Sequence, residues 1–339
     1  MNIGFVVNAE IRDNGTFSLV RDALWRRMGY QGNQRWYTRG AGYTEDCDFY
    51  VFIDDGRDDI PMDCPKPNAA WMIDTHLGWD VRREWAEHFD FVFCAQRGGA
   101  ERMAQDGLNA YWLPLAAHPP AHPNYGEIMT HEARDDILQG RSLDRQYDLC
   151  FVGFMNEDST GNNRVEYLDA IFRELPNSWL AVNCFADHMA AHYIRSRLGF
   201  NLSIRDDLNM RFFEIPSTGT AMLTNRDVVG WQELGFQEDV HFIGFQGVPE
   251  ALEKADYYLK HHEEREEIAA AGHVLVREKH TYAHRIREMF RICGLEELNA
   301  GRTESESDGG DDSEEGQRLD KKPEYHHRSV AGDQNAGGG

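Results

Sequence analysis

The stretch Ser203-Ile-Arg-Asp-Asp-Leu-Asn-Met-Arg-Phe-Phe-Glu-Ile-Pro-Ser-Thr-Gly-Thr-Ala-Met-Leu-Thr224 is the most informative part of this chain. Residues 207–218 predict a helix, which Pro216 shortens or kinks. Gly219 follows, and the apolar run at 220–223 then predicts a strand. A helix, a glycine and a short apolar strand in succession are typical of an α/β unit.

The same alternation continues in both directions from this stretch. Strands are predicted at residues 3–7, 49–53, 69–73, 89–94, 111–115, 149–152, 179–184, 200–203, 220–223 and 241–245. Helices are predicted at residues 16–28, 99–106, 164–175, 249–261, 263–271 and 282–293. Because strands alternate with helices, we expect an α/β fold with Rossmann-like, doubly wound parallel sheets.

The length of 339 residues suits two domains rather than one. We predict Rossmann-like domains over 1–120 and 147–280, an interdomain connection over 121–146, and a helix over 281–296 that crosses back to the first domain. Prolines, histidines and charges mark the connection. Residues 297–339 are rich in Ser, Gly, Asp and Glu, which predicts a disordered acidic tail.

The charge of the chain restricts its partners. A net charge of −23, from 58 acidic and 35 basic residues, repels nucleic-acid phosphates and anionic lipids, so nucleic-acid binding is not expected. No apolar run approaches the ~18 residues of a membrane span. The first residues have the pattern of a strand rather than a signal peptide, so we expect a cytoplasmic protein. The six cysteines form no C-x-x-C pair, and no metal site is predicted.

The core of the opening stretch, D-L-N-M-R-x-F-E at residues 207–214 followed by a glycine and a strand, resembles the CgeB-like, spore-maturation-type glycosyltransferases. The resemblance covers about residues 45–293 and is densest over 200–290. It also rests on A-W-M-I-D-T-H at 70–76, W-L-P-L-A-A at 112–117, Y-D-L-C-F-V-G at 147–153 and H-T-Y-A-H-R at 280–285.

The resemblance implies a GT-B fold, in which two Rossmann-like domains face a central cleft. It further implies transfer of a sugar from a nucleotide-diphosphate-sugar donor to an acceptor, with retention of anomeric configuration. Because the sequence lacks a metal-binding motif, transfer is expected to need no metal or other cofactor. Residues 1–120 would form the acceptor side and residues 147–280 would bind the nucleotide sugar. The acceptor, a glycan, a protein or a small molecule, is not specified by the sequence.

The predicted donor site lies in the opening stretch. A helix N-terminus there would present N–H groups to a diphosphate, near Asn209, Gly219 and Arg211, whose guanidinium would bind phosphate in a bidentate manner. Glu214 would accept two ribose hydroxyls. The large retaining GT-B group has two glutamates at this place, and here Asp206 stands where the first is expected. The alternative is that Arg211 and Glu214 form a surface helix pair.

Two further pairs follow predicted strands. Asp74 and His76 end the strand at 69–73, where similar GT-B enzymes place a histidine beside the donor sugar. His76 would contact a sugar hydroxyl or take the acceptor proton. Asp74 would orient the imidazole of His76 or act as a base. The alternative is a capping Asp and a structural His. Gly153, followed by Arg164, would let a phosphate approach closely, unless it belongs to an ordinary loop. The same holds for residues 15–16.

Other patterns favour simpler interpretations. D-C-D at residues 46–48 matches the metal-binding D-x-D of the other glycosyltransferase fold, but it precedes its strand and predicts a solvated strand start. Asp54 and residue 55 precede a glycine, which favours a turn. The histidine pairs at 261–262 and 326–327 lack ligand-like surroundings. Two rival functions stay open, a non-catalytic nucleotide-sugar-binding or scaffold protein on the same fold, and a nucleotide-sugar epimerase.

Overall fold

The computed structural model describes residues 2–7, 19–20, 23, 34–38, 47–54, 64–119, 145–153, 164–182, 184, 186–203 and 207–295. Met1–Ala300 form one compact unit. Several predictions fall wholly or mostly outside the described residues, namely the helix at 16–28, the sites at 15–16 and 326–327, residue 55, the connection at 121–146 and the tail at 297–339. The predicted division into domains stays a prediction.

The first sheet has six parallel strands in the order β2-β1-β3-β4-β5-β6. These strands are β1 Ile3–Val7, β2 Gln34–Thr38, β3 Phe49–Ile53, β4 Asn68–Met72, β5 Phe91–Cys94 and β6 Ala110–Trp112. Helices α1 Trp79–Ala86 and α2 Arg97–Gln105 connect the last three strands. Every residue of β3 and β4 is buried, as expected for strands that are covered on both faces.

The second sheet has five parallel strands in the order β11-β10-β9-β7-β8. These strands are β7 Tyr147–Val152, β8 Trp179–Ala181, β9 Ser196–Asn201, β10 Ala221–Asn225 and β11 Ile243–Phe245. The associated helices are α3 Arg164–Glu174, α4 Ala186–Ile194, α5 Arg211–Ser217, α6 Gly247–Lys260, α7 His262–Lys279 and α8 Tyr282–Ile292. The predicted α/β class with parallel sheets is therefore confirmed.

Three described elements have no counterpart in the predictions. Strand β2 has the sequence Gln-Arg-Trp-Tyr-Thr, which contains no apolar run. Helix α1 carries four charged residues, and only its buried face, which includes Trp85, joins the core. Helix α4, with the sequence Ala-Asp-His-Met-Ala-Ala-His-Tyr-Ile, follows β8, and the strand predicted at 200–203 begins earlier, at Ser196.

Helix α8 joins the two sheets. Ala117, after β6, donates its N–H to the carbonyl of His280 at 3.0 Å and accepts from the N–H of Tyr282 at 3.0 Å. The buried Arg285 then donates from Nε to the carbonyl of Pro114 at 2.9 Å. One face of each sheet and the inner face of α8 share a single hydrophobic core. This arrangement brings the carboxyl ends of both sets of strands to a common region.

Candidate functional site

Arg211 lies where β7 and β9 end. Its Nε donates to Oδ1 of Asn201 at 3.1 Å, and its Nη1 lies 3.5 Å from the carbonyl oxygen of Val152. Within the described part of the chain, Arg211 forms no ion pair and its Nη2 donates no hydrogen bond. Asn201 is fully buried and fixes the guanidinium so that one edge stays available.

Gly153 leaves room for this guanidinium. A Cβ at residue 153 would lie 2.8 Å from Nη1 of Arg211 and 2.9 Å from the ring of Phe151. Both distances are shorter than van der Waals contact, so any larger residue would displace one of these side chains. The glycine after β7 therefore serves the position of Arg211 as well as access to the strand end.

A second guanidinium faces the same ring. The carbon Cζ of Arg164 lies 5.4 Å from the centroid of Phe151, and that of Arg211 lies 5.5 Å away. Arg164 is the first residue of α3, and its Nη2 donates to the carbonyl of Leu202 after β9 at 3.2 Å. Burial, and then the like charge of Arg211, lower the pKa of Arg164 to about 10. Two cations thus meet at a helix N-terminus, which is itself the positive end of the helix dipole.

Asn209 organises the start of α5. Its Oδ1 accepts from the N–H of Phe212 at 3.2 Å, which satisfies one of the free amides of the first turn. Its Nδ2 donates to Oδ1 of Asn201 at 3.1 Å, the same oxygen that holds Arg211. The structure therefore gives Asn209 a capping and orienting position, and its direct contact with a donor stays a prediction.

Glu214 differs from the expectation of a carboxylate that faces the cleft. Its side chain is only 5% exposed, because α5 packs against α7, where His273 contacts the carbonyl of Pro216 at 3.2 Å. Burial raises the pKa of Glu214 to about 7, although the charge of Arg211 opposes the shift. Glu214 is therefore a buried carboxyl within electrostatic reach of Arg211, and it is not part of an exposed helix pair.

Asp74 and His76 lie after β4, at the carboxyl edge of the first sheet. Nδ1 of His76 is buried and has no hydrogen-bond partner among the described residues. Burial, and then the charge of Asp54, raise the pKa of Asp74, while His76 and Arg82 lower it. Burial also raises the pKa of Asp207, and the charges of His76 and Arg211 partly offset this rise. Asp207 therefore lies within electrostatic reach of both sides of the site.

Gln96, which the sequence interpretation did not single out, links these two sides. Its Nε2 donates to Oδ1 of Asp207 at 2.9 Å and also to the carbonyl of Ile73. Its Oε1 accepts from the N–H of Thr75 at 3.1 Å and from the hydroxyl of Thr75 at 2.9 Å. No local pattern marks this residue, since its partners follow β4 and lie in the other half of the chain.

The structure does not bring Gly219 to this group. Gly219 follows the C-terminal end of α5 with φ of 73°, the left-handed conformation typical of a glycine that ends a helix. Its carbonyl accepts from Nη2 of Arg145 at 3.1 Å. Because it precedes β10, it lies near the amino ends of the strands, which corrects the prediction of a phosphate contact.

Asp54 is also not a simple turn residue. It follows β3 and forms a buried ion pair with Arg82 of α1, with Nε and Oδ2 2.5 Å apart. Asp48 lies at the opposite, amino end of β3 and accepts from the N–H of Asn2 at 2.6 Å. His261 stacks on Tyr257 with ring centroids 3.8 Å apart. Across the described ranges, no group of three or more His, Cys, Asp or Glu is arranged to hold a metal ion.

Residues 172–291 match a family model described as glycosyl transferase-like. The matched segment includes Asn209, Arg211 and Glu214, whereas Asp74, His76 and the other residues of the first sheet lie outside it. No curated protein sequence matches this chain. Among the described helices, none is long and apolar enough to cross a bilayer.

Solved structures share the fold along most of the chain. HepE from Anabaena, in complex with UDP and glucose, superposes with a TM-score of 0.60 at 9% identity, covering 87% of this chain and 99% of that one. An alpha-glucosyltransferase with UDP and a 13-mer DNA containing a HMU base gives 0.55 at 8%, covering 87% and 99%. A glycosyltransferase from Rickettsia africae gives 0.54 at 8%, covering 89% and 99%. The chain therefore has the GT-B fold, as predicted.

Proposed function

We propose that this chain is a glycosyltransferase whose donor, a nucleotide-diphosphate sugar, binds in the cleft between the carboxyl ends of β7 and β9 and those of β4 and β5. The family match and the fold support a glycosyltransferase. The observation that carries the proposed site is the convergence of Arg211 and Arg164 on the ring of Phe151, beside Gly153.

The electrostatics of this point favour an anion. The chain as a whole carries a net charge of −23, yet two guanidiniums share the ring of Phe151 at the start of α3. Like charges in a partly buried place raise the free energy of the empty site. A diphosphate would neutralise both cations. Its oxygens would accept hydrogen bonds from the first amides of α3 and from Nη2 of Arg211. The same contacts would stabilise the charge that develops on the leaving diphosphate.

The residues of the first sheet would handle the sugar and the acceptor. His76 and Asp74 lie just after the end of β4, and Nδ1 of His76 has no hydrogen-bond partner in the part of the chain that the structure describes. In the proposed arrangement His76 contacts a sugar hydroxyl or takes the acceptor proton, and Asp74 orients the imidazole or acts as the base. Closure of the cleft around the donor would exclude the water that hydrolyses it.

Glu214 is proposed to accept the ribose hydroxyls from the floor of the site. As a buried carboxyl with a pKa of about 7, it must lose its proton to act as a charged acceptor. Ribose binding through Glu214 would therefore be coupled to proton release, so the affinity for the nucleoside would depend on pH.

The nucleotide and the stereochemistry are proposed from the resemblance of the sequence and from the similar solved structures. UDP is the first nucleotide to test, since HepE and the alpha-glucosyltransferase bind it. We propose that transfer proceeds with retention and without a metal, the positive charge being supplied by Arg211 and Arg164. Activity should then survive EDTA, and abolition by EDTA with rescue by Mn²⁺ would contradict this part of the proposal. The acceptor is not proposed.

The test is a titration of the Arg211→Ala and Glu214→Gln variants with uridine, UMP and UDP. Arg211→Ala should weaken UDP binding about 10- to 100-fold and leave uridine binding nearly unchanged, because its partner is phosphate. Glu214→Gln should weaken all three ligands by a similar factor, because its partner is the ribose. Arg173→Ala is the control, since this arginine lies on the same helix as Arg164 with 75% of its side chain exposed.

Two results would count against the proposal. If both variants bind all three ligands like the parent, the donor does not bind at these residues. If the parent binds UDP and UDP-sugars but neither transfers nor hydrolyses the sugar, the non-catalytic alternative is correct.

A further inference from the structure

Gln96 occupies the cap position of α2 without capping it. The residue has extended backbone angles, and its side chain makes no hydrogen bond to the first turn of the helix. Cap positions usually carry short polar side chains that bond to those amides. Here a longer amide is instead directed away from its own helix, so the local stabilisation of α2 is replaced by contacts elsewhere.

All four hydrogen-bonding capacities of the Gln96 carboxamide are used. Three bonds go to residues 73–75, which follow β4, and the fourth goes to Asp207, which precedes α5 in the other half of the chain. The side chain is 7% exposed, so water does not readily replace these partners. Such a fully satisfied, buried amide fixes the relative position of every group that it contacts.

The packing around Gln96 is also tight. A Cβ at Gly99 would lie 2.3 Å from the hydroxyl oxygen of Thr75, so α2 approaches the end of β4 as closely as a glycine permits. Thr75 is 2% exposed. The segment that carries Asp74 and His76 is therefore held directly against Gln96.

We propose that Gln96 is a positioning residue that couples the two sides of the cleft, holding Asp74 and His76 in register with Asp207 and with the helix that carries Arg211. Its consequence for catalysis rests on the proposed function, but the coupling itself does not. In this arrangement a change at Asp207 loosens a segment more than 130 residues away along the sequence, through a single side chain.

Hydrogen exchange of the ligand-free chain tests the coupling. The N–H of Thr75 is bonded to Gln96, so exchange in peptides that cover 73–77 reports how firmly the amide is held. Asp207→Ala should raise the exchange rate there about tenfold, because Gln96 loses its anchor. Asp207→Asn should leave the rate within about twofold of the parent, because the Asn side-chain oxygen still accepts from Nε2.

A reversed hydrogen bond provides the rescue. Gln96→Glu places two carboxylates together, also loses the donor to the carbonyl of Ile73, and should raise the exchange of 73–77. The double variant Gln96→Glu with Asp207→Asn restores only the bond at residue 207, so it should lower the exchange partway toward the parent. Glu233→Gln is the control, because the Arg97–Glu233 pair joins the same two halves at the exposed surface. It should change little.

Activity and binding separate this inference from the proposed function. Asp207→Ala should lower the turnover of UDP-sugar about tenfold and leave UDP affinity within about threefold, since Arg211 and Gly153 are unchanged. The coupling is overturned if Asp207→Ala leaves exchange of 73–77 at the parent rate, or if the double variant exchanges as fast as Gln96→Glu alone. Failure of the parent to bind UDP or any other nucleoside diphosphate would instead overturn the proposed function and leave the exchange result standing.

Discussion

Glu214→Gln should change the pH dependence of stability in a direction fixed by the burial of this carboxyl. The group titrates near pH 7 in the folded chain, compared with an ordinary value of 4.5. Between these values the folded state binds more protons than the unfolded state, so stability falls as the pH rises. The stabilisation is complete below pH 4.5 and is lost as the pH passes through about 7.

The magnitude follows from the difference between the two pKa values. Each pH unit corresponds to about 1.4 kcal/mol, so the parent should lose about 3 kcal/mol of unfolding free energy from this group between pH 5 and pH 8. Glutamine resembles the protonated carboxyl and does not titrate. The variant should therefore match the parent within about 1 kcal/mol at pH 5 and be more stable by about 2 to 3 kcal/mol at pH 8.

Urea unfolding at pH 5, 6, 7 and 8, followed by tryptophan fluorescence, measures this difference. Glu253→Gln, on the exposed side of α6, is the matched control and should follow the parent at every pH. If the pH profiles of Glu214→Gln and the parent are parallel, Glu214 is not a buried carboxyl with a raised pKa, and the packing of α5 against α7 has been misunderstood.

Three further predictions follow from single contacts. Gly153→Ala should weaken UDP binding at least about tenfold, because the added Cβ displaces the guanidinium of Arg211 or the ring of Phe151 on which it lies; unchanged titration curves would contradict this. Asp54→Asn should cost about 3–5 kcal/mol in urea unfolding, because it leaves the charge of Arg82 buried; the exposed Asp106→Asn should cost under about 1 kcal/mol, and equal losses would refute the argument. Uridine affinity should rise about tenfold from pH 6 to pH 8 if Glu214 accepts the ribose hydroxyls as a carboxylate. Calorimetry at these two pH values measures the change, and equal affinities would contradict the role of Glu214.

The apolar strands could be predicted because buried parallel strands are continuous apolar runs. Strands β1 and β3 have the predicted bounds, and most of the others lie within a few residues of them. Strand β2 and helix α1 could not be predicted in this way, because polar and charged residues dominate their sequences. Their place in the fold is decided by tertiary packing rather than by a local pattern.

The candidate site could be predicted only where it depends on strand ends. Gly153, Arg164 and Arg211 can each be predicted as a phosphate contact, because parallel strands present their carboxyl ends at one edge and nucleotides bind there. The buried state of Glu214 depends on α7, which lies about fifty residues further along the sequence. Gln96 depends on partners in both halves of the chain, and no spacing in the sequence indicates such a contact.

The central claim is that a nucleotide diphosphate binds where Arg211, Arg164 and Gly153 meet. A crystal structure of the chain with UDP tests it most directly. The account predicts a phosphate oxygen within hydrogen-bond distance of Nη2 of Arg211, next to Gly153 and the first turn of α3, with the ribose toward Glu214. A diphosphate bound elsewhere in the chain, or no bound nucleoside diphosphate when UDP and the other common ones are each tried at saturating concentration, would contradict it.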